Sequence, residues 1–392
     1  MKLLFAVERL GAEGGMERFL EIVLPALVER GIDVHVLARK IDAVPAGIDA
    51  EVIDWAAEHD PPDAAAAAAA ARACAQFAPD AVIAQNVMDA AVVEALRRPA
   101  RLMYHLCDHR PFCPNGDRVL PRSGQNCSLP LGLACAVHAL TDGCAYGPRP
   151  STLALIGRRR RLRDAVAAAD SILVGSDFMR AMAVHNGIPP ARIASIRYPL
   201  DDADFAAVDP RESRRVTFIG RFVPQKGLMT LVRALGTIPA ALRPVLHAAG
   251  DGPDRAEALR TAGRLGVVLD APGVADSVEI RRAIDASALV VFPSLWAEPF
   301  GRVGIEAFSR GRPVVAFDVG GISSWLTPDE NGLLVPRGDE HALGAAIARL
   351  LTDDALRRRL GAQARRDAER YRLAPFIDRF LAIALGRDIG PD

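Results

Sequence analysis

The sequence predicts an α/β protein of two doubly wound, Rossmann-like domains facing a shared interdomain cleft. Three observations carry this expectation. Strand-like and helix-like segments alternate from end to end, 392 residues exceed one ordinary core, and the alternation breaks once, in a polar stretch after Asp201-Asp-Ala-Asp-Phe205. The break sets the expected domains at residues 1–205 and 206–374, with residues 375–392, helical from Pro375 to Leu385, packing back on the first.

In the first domain Met1 to Val7 reads as a buried strand, and Gly14-Gly15 opens a helix to about Arg30. Further strands follow at Val34 to Ala38, Ala81 to Ala84, Arg101 to Leu106, Ser171 to Gly175 and Ile193 to Ile196. The alanine tract from Ala64 to Ala71 is a helix former. A second series begins at Val216-Thr-Phe-Ile219 and continues through Val245 to Ala249, Ala288 to Phe292, Val314 to Phe317 and Gly332 to Val335. Ligand sites of such sheets lie at the carboxyl ends of the strands.

Composition narrows the function. Lys plus Arg equals Asp plus Glu, 48 each, which argues against a nucleic-acid surface built on net charge. The one dense basic run, Arg158 to Arg161 with Arg163, reads first as a solvated helix face and second as a contact for anionic lipid. Met1 to Val7 is too short for a signal peptide, and no run of eighteen apolar residues occurs. A cytoplasmic enzyme is expected, with peripheral contact at the inner membrane face left open. High alanine and arginine with little lysine fit a GC-rich bacterial genome.

The most informative local pattern is Glu298-Pro-Phe-Gly-Arg-Val-Gly-Ile-Glu306, between an apolar strand and a helix stopped at Gly311. Pro299 keeps Glu298 on the loop, while Glu306 falls in the first turns of the helix. Backbone N–H groups of Phe300, Gly301 and Arg302 then lie unpaired in the same space. Carboxylates accept from several hydroxyls and free amides donate to anions, so the pattern suits a polyhydroxylated, phosphorylated ligand such as a nucleotide sugar. Taken alone, an E-x7-E pair is better explained by two solvated glutamates at a helix start, where acidic residues are favoured anyway.

The loop Gly220-Arg221-Phe-Val-Pro-Gln-Lys226-Gly227 follows the first strand of the second domain. Two cations and a helix N-terminus can neutralise a diphosphate leaving group without a divalent metal. Gly11-Ala-Glu-Gly14-Gly15 departs from G-x-G-x-x-G, so the dinucleotide fingerprint fails, yet such a loop still admits a phosphate or sugar. Gly320-Gly321, before a short helix expected at Ile322 to Leu326, is a second close approach or a plain turn.

Taken together, G-R-x4-K-G, His247-Ala-Ala-Gly250-Asp-Gly-Pro253, P-S-x3-E-P-F-G-x4-E-A, G-x-P-V-V-A, G-G and N-G-L-L-V resemble the GT-B glycosyltransferases of family 4. The motifs cover residues 216 to 337, and the Gly14-Gly15 loop and the Ser176 to Asp201 segment extend the resemblance to nearly the whole chain. It implies a retaining hexosyl transfer from a nucleotide diphosphate sugar, with no metal or other cofactor required. Arg221 and Lys226 would hold the diphosphate, Glu298 the donor sugar and Glu306 the ribose. The base would lie against Pro272 to Ala275, including Gly273 and Val274, mostly through backbone contacts, which leaves UDP only marginally preferred over GDP. The acceptor, held by the first domain, would be a glycan, a lipid-linked sugar or a small molecule. A nucleotide-sugar-binding protein without transferase activity, or a GT-B epimerase, are the alternatives.

The first domain departs from the family where a strand commonly ends in a histidine facing the donor sugar. Tyr104-His105-Leu-Cys107-Asp108-His109 places Cys107 there, so His109 with Asp108 is the expected contributor, or His105 if the register shifts. Cys113, Cys127, Cys135 and Cys144 fall in a Gly- and Pro-rich insertion of about residues 107–150 and lack C-x2-C spacing. Buried thiols, zinc and a disulfide all remain open for them. Asp202-Ala-Asp204 superficially matches a metal-binding D-x-D but stands in the interdomain connection.

Overall fold

The computed structural model describes residues 1–11, 14–57, 60–98, 100–144, 149–205 and 213–387. The polar stretch 206–212, where the sequence placed the domain boundary, and residues 12 and 13 of the first glycine loop lie outside that set. Two compact units form, one of Met1–Pro199 with Leu373–Asp392 and one of Leu200–Arg372.

The first unit holds seven strands: β1 (Lys2–Leu10), β2 (Asp33–Ile41), β3 (Asp49–Val52), β4 (Ala81–Gln85), β5 (Arg101–His105), β6 (Ser171–Val174) and β7 (Ile193–Ser195). They pair in the order β3-β2-β1-β4-β5-β6-β7, every pair parallel. Central strands such as β4 are buried along their whole length, as a sheet covered on both faces requires. One face packs on Ala66, Ala70 and Cys74 of the helix Ala64–Phe77, which starts where Asp63 accepts from the N–H groups of Ala65 and Ala66. The other face packs on the helix Gly15–Glu29 and on Phe376, Ile377 and Phe380 of the C-terminal helix Leu373–Ala384. Phe380 stacks on Phe5 at 6.2 Å, and Phe376 meets Phe19 edge-on at 5.7 Å.

The second unit holds β8 (Arg215–Ile219), β9 (Val245–Ala249), β10 (Leu269–Gly273), β11 (Leu289–Phe292), β12 (Val314–Phe317) and β13 (Gly332–Val335). Their order is β10-β9-β8-β11-β12-β13, again parallel throughout.

Several details differ from the sequence reading. The division falls after Pro199 and Arg372 rather than after residues 205 and 374. Leu200 N–H donates to Tyr371 O (2.8 Å), and Asp204 meets Arg281 through its carboxylate (3.1 Å) and Ser309 through its carbonyl (2.9 Å), which binds this turn into the second unit. Strands β3 and β10 carry weak sequence signals: β3 is a mostly exposed edge, and β10 contains Pro272 and a register irregularity that an edge tolerates. In place of a helix at Ile322 to Leu326 there is a 3-10 turn, Gly320–Ser324. The basic run is not uniformly solvated either. Helical periodicity in Arg149–Ala167 turns Arg159 inward with Leu155, Leu162 and Val166, leaving it 1% exposed, while Arg161 pairs with Glu94 at 2.9 Å.

Candidate active site

Strand order in the second unit reverses between β8 and β11, and the loops leaving these two strands carry the charged motifs. They are tied by backbone. Gly227 adopts φ 74°, and a Cβ there would stand 1.9 Å from Pro293 O, so only glycine lets the β8 loop approach the end of β11 so closely. Gln225 O accepts from Leu295 N–H (2.8 Å), with Ser294 Oγ 3.2 Å away. Lys226 is thereby carried to Glu298, Nζ to Oε1 2.6 Å, with side chains 22% and 5% exposed. Ser294 Oγ stands 2.8 Å from the same oxygen, and the ammonium lies 5.1 Å from the centre of the Trp296 ring. Burying a carboxylate is costly unless it is paired and hydrogen-bonded, as Glu298 is here.

Glu298 is also fixed by its backbone. Gly321 N–H donates to Glu298 O (2.7 Å), and a Cβ on Gly320 (φ 56°) would stand 2.3 Å from that oxygen. The Gly-Gly pair therefore admits the Glu298 backbone itself. Arg221, by contrast, is exposed and has no ion-pair partner among the described residues. Gly220, Gly250 and Gly273 lace the ends of β8, β9 and β10: Gly220 N–H donates to Ala249 O (3.0 Å), Gly250 N–H to Gly273 O (2.7 Å), and a Cβ on Gly250 would meet Gly220 O at 2.0 Å. Val274, just beyond β10, is 58% exposed.

The helix Arg302–Ser309 starts from Gly301 at φ 90°, where Ile322, Phe292 and Trp325 leave no room for a Cβ. Trp325 Nε1 donates to Phe300 O (2.6 Å) and seats the turn. The first N–H groups of this helix lack intrahelical partners, so the turn offers donors beside both glutamates. Arg302 Nε donates to Glu306 Oε1 at 2.9 Å, the two side chains being 9% and 16% exposed, and both terminal nitrogens of Arg302 are enclosed without a hydrogen-bond partner. Sequence reasoning used only the amide of Arg302; its side chain, four residues ahead of Glu306 on one helix face, was the available signal.

In the first unit the histidine region is enclosed. His109 is 0% exposed and packs edge-on against Phe178 at 5.8 Å; its ring stands among core side chains rather than on a surface. His105, 1% exposed, lies against Phe19 (4.7 Å) with Nε2 3.3 Å from Tyr198 Oη, and burial lowers it to about 3, so it is neutral at ordinary pH. Cys107 is buried as well; its N–H donates to Asn86 Oδ1 (3.4 Å), and burial pushes its thiol well above the ordinary value. Asp108 accepts from Arg110 N–H (2.9 Å) and from Arg110 Nε (2.7 Å), capping the turn that follows. Gly15 borders open space, whereas a Cβ on Gly14 would meet Glu17 Oε2 at 2.2 Å. Glu17, which the sequence reading passed over, has its carboxyl raised by burial, opposed by the charges of Arg110 and Arg9. Its signal was the acidic residue two positions past the glycine pair.

Asp202 pairs with Arg372 (2.9 Å) and Asp204 with Arg281 (3.1 Å), so both carboxylates of the D-x-D are engaged by arginines. Among the described residues no three His, Cys, Asp or Glu side chains form a group ready to hold a metal ion.

Two family models account for most of the chain. The one described as Glycosyltransferase Family 4 matches residues 13–204, and the one described as Glycosyl transferases group 1 matches residues 201–367. The chain belongs to the family 4 glycosyltransferases. Curated relatives include the phosphatidyl-myo-inositol mannosyltransferase of Mycolicibacterium smegmatis, 34% identical over 200 residues (50% of this chain, 49% of that one). The D-inositol 3-phosphate glycosyltransferase of Xylanimonas cellulosilytica is 37% identical over 166 residues (41% and 40%). The matches thus span about half the length of these relatives or less. Among solved structures, Anabaena HepE in complex with UDP-glucose has a TM-score of 0.72 at 20% identity, covering 97% of this chain and 99% of that one. WaaG, a glycosyltransferase involved in lipopolysaccharide biosynthesis, has a TM-score of 0.71 at 18% identity, covering 98% and 100%. At these identities the likeness is one of fold, and the fold is GT-B.

Proposed function

We propose that this family 4 chain is a retaining hexosyltransferase that uses a nucleotide diphosphate sugar, UDP-linked by a margin over GDP-linked. The observation that carries this reading is the Lys226–Glu298 pair at the β8/β11 reversal, flanked by the exposed Arg221 and by the Arg302–Glu306 pair on the next helix. UDP-glucose bound by the HepE neighbour supports the margin for UDP.

In this reading the diphosphate lies against Arg221, Lys226 and the donors at Gly301 and Arg302. Sugar hydroxyls take Glu298, and the ribose takes Glu306. As the glycosidic C–O bond breaks toward an oxocarbenium-like state, negative charge grows on the leaving diphosphate, where these cations act without a metal. Lys226 arrives already neutralised by Glu298, so donor binding must share or replace that ion pair. The acceptor attacks from the face the diphosphate leaves, and a phosphate oxygen takes its proton. That route asks for no base from His105 or His109, which fits their enclosure.

The acceptor is proposed to be a glycan, a lipid-linked sugar or a small molecule held by the first unit. The relatives named for phosphatidyl-myo-inositol and D-inositol 3-phosphate favour a phosphorylated polyol among these. Among the described residues no helix is long and apolar enough to cross a membrane. Peripheral contact is proposed instead, through exposed Leu133, Val137 and Leu140 beside the arginines of Arg149–Ala167.

The same enclosure of both histidines favours one other reading, a binding protein that holds the donor without transferring it. Incubation with UDP- and GDP-hexoses separates the two. Release of nucleoside diphosphate dependent on an added acceptor supports the transferase, whereas stabilisation by the nucleotide sugar with no release supports the binding protein.

A further inference from the structure

The charged pair at the ends of β8 and β11 has a neighbour that carries no charge. Trp296 stands in the loop Ser294-Leu-Trp-Ala-Glu298, at one of the three positions that the P-S-x3-E pattern leaves open. The loop is pinned on both sides of it. Leu295 N–H donates to Gln225 O (2.8 Å), and Leu295 O accepts from Nε of Arg337 (2.6 Å), which lies just past the end of β13. Beyond Trp296, Ala297 and Glu298 are buried, and Gly321 N–H donates to Glu298 O (2.7 Å). A residue between two fixed stretches of backbone is presented in one place. There the Trp296 side chain is partly exposed, with Lys226 Nζ 5.1 Å from its ring centre.

Burial sets this tryptophan apart. The chain has three, and the other two serve the cores: Trp55 is 2% exposed and Trp325 3%. A large aromatic left partly open at a strand end, beside a cation, is placed for an electrostatic contact as well as for packing. The two neighbours of the Lys226 ammonium act differently. Glu298, at 2.6 Å, offsets its charge, whereas a ring face attracts a cation without offsetting it.

We propose that Trp296 is a positioning residue for Lys226, its ring holding the ammonium while Glu298 gives it up to the diphosphate of the donor. The proposal rests on the donor-site reading above and supplies a part that reading lacks. A lysine released from its carboxylate regains the freedom of a flexible four-carbon stem, and ordering it again at each binding event costs side-chain entropy. The indole face keeps the ammonium in place through the exchange. Being uncharged, it neither competes with the phosphates for the ammonium nor repels them. The contribution of Trp296 therefore runs through Lys226 and vanishes with it.

The test uses the full chain with UDP and GDP as probes, followed by calorimetry and by indole emission, and requires no acceptor. Trp296→Leu is expected to weaken the better-bound nucleotide about 5- to 30-fold, and Trp296→Phe, which keeps a ring face, by about threefold or less. In the Lys226→Ala background Trp296→Leu should change the affinity by less than about twofold, because the contact it removes is already gone. A merely structural loop residue would cost the same in both backgrounds. Emission should shift on binding in the wild type and stay constant in Trp296→Phe, while Trp325, whose Nε1 donates to Phe300 O, reports that the second unit is folded. Should Trp296→Leu fail to fold, Trp296→Gln takes its place in the cycle. Unchanged affinity in the ringless variant, an equal loss with and without Lys226, or an emission shift that survives in Trp296→Phe would each overturn the proposal and leave the donor site standing. A wild type that binds neither nucleotide would overturn the donor-site reading, and the proposal with it.

Discussion

The two units share an architecture and use their strand ends in opposite ways. At the carboxyl ends of β8 and β11 stand charged groups with partial access: exposed Arg221, Lys226 on Glu298, and Arg302 on Glu306. At the end of β5 stand His105, Cys107 and His109, all enclosed, and burial keeps the first two neutral. The difference separates poised charge, which can act on a ligand's charge, from buried neutral groups that mainly shape the walls. Substitutions in the second unit should therefore change turnover, and those in the first should change stability.

The largest effect is expected for Lys226→Ala. Losing one cation that stabilises developing charge should cost about 100- to 1,000-fold in kcat, read as nucleoside diphosphate release. Unchanged turnover would sink the assignment of the diphosphate to this loop. Next come Glu306→Gln and Arg302→Leu, each removing a charge-assisted hydrogen bond, which should weaken nucleotide binding by about 1.5–3 kcal/mol. Calorimetry with a nucleotide and its 2′-deoxy analogue sharpens the point: the wild type should prefer the ribonucleotide, and Glu306→Gln should lose the preference.

For His109→Ala the contrast predicts a stability loss of about 1–3 kcal/mol with kcat/KM within about twofold of wild type, from denaturant melts beside steady-state rates. A large loss of turnover with an unchanged melt would instead move His109 into the chemistry.

His105 gives the mildest and most pH-specific outcome. Its folded value, about 3, lies below the ordinary imidazole value of 6.5, so above pH 6.5 both states are neutral and the group contributes no pH dependence. Between pH 6.5 and about 3 the unfolded chain binds a proton that the folded chain refuses, and stability should fall as pH drops, by about 1.4 kcal/mol per pH unit at most. His105→Leu should flatten that limb of the stability profile, whatever it does to the plateau; an identical slope would show that His105 protonates in the fold.

Much of the second unit was legible because its candidate site is written in short, local motifs. Glu298 and Lys226 are 72 residues apart in sequence, yet each announces itself by a proline or glycine at a strand end, and the parallel sheet does the rest. The ion pair between them was not legible, since it depends on the Gly227–Pro293 approach. In the first unit alternation along β5 left the direction of His105 open, and nothing local shows that His109 folds inward against Phe178. Arg159 was misread for the same reason. Four consecutive arginines look solvated until the helix phase is known, and one of them then points at the core.

The return of the C-terminal helix has a consequence for synthesis. Phe376, Ile377, Phe380, Ile383 and Ala384 complete one of the apolar layers of the first sheet, although that sheet's strands all precede Leu200. A ribosome therefore delivers every strand of the first unit, then the whole second unit from Leu200 to Arg372, before it supplies the residues that close the first core. The unit that begins first finishes last, and until then Phe5 lacks its stacking partner Phe380 and Phe19 lacks Phe376, though it already has His105 and Tyr198. The helix Leu373–Ala384 thus completes the first core only after the second unit has been made, and a chain without it would carry an unfinished apolar face.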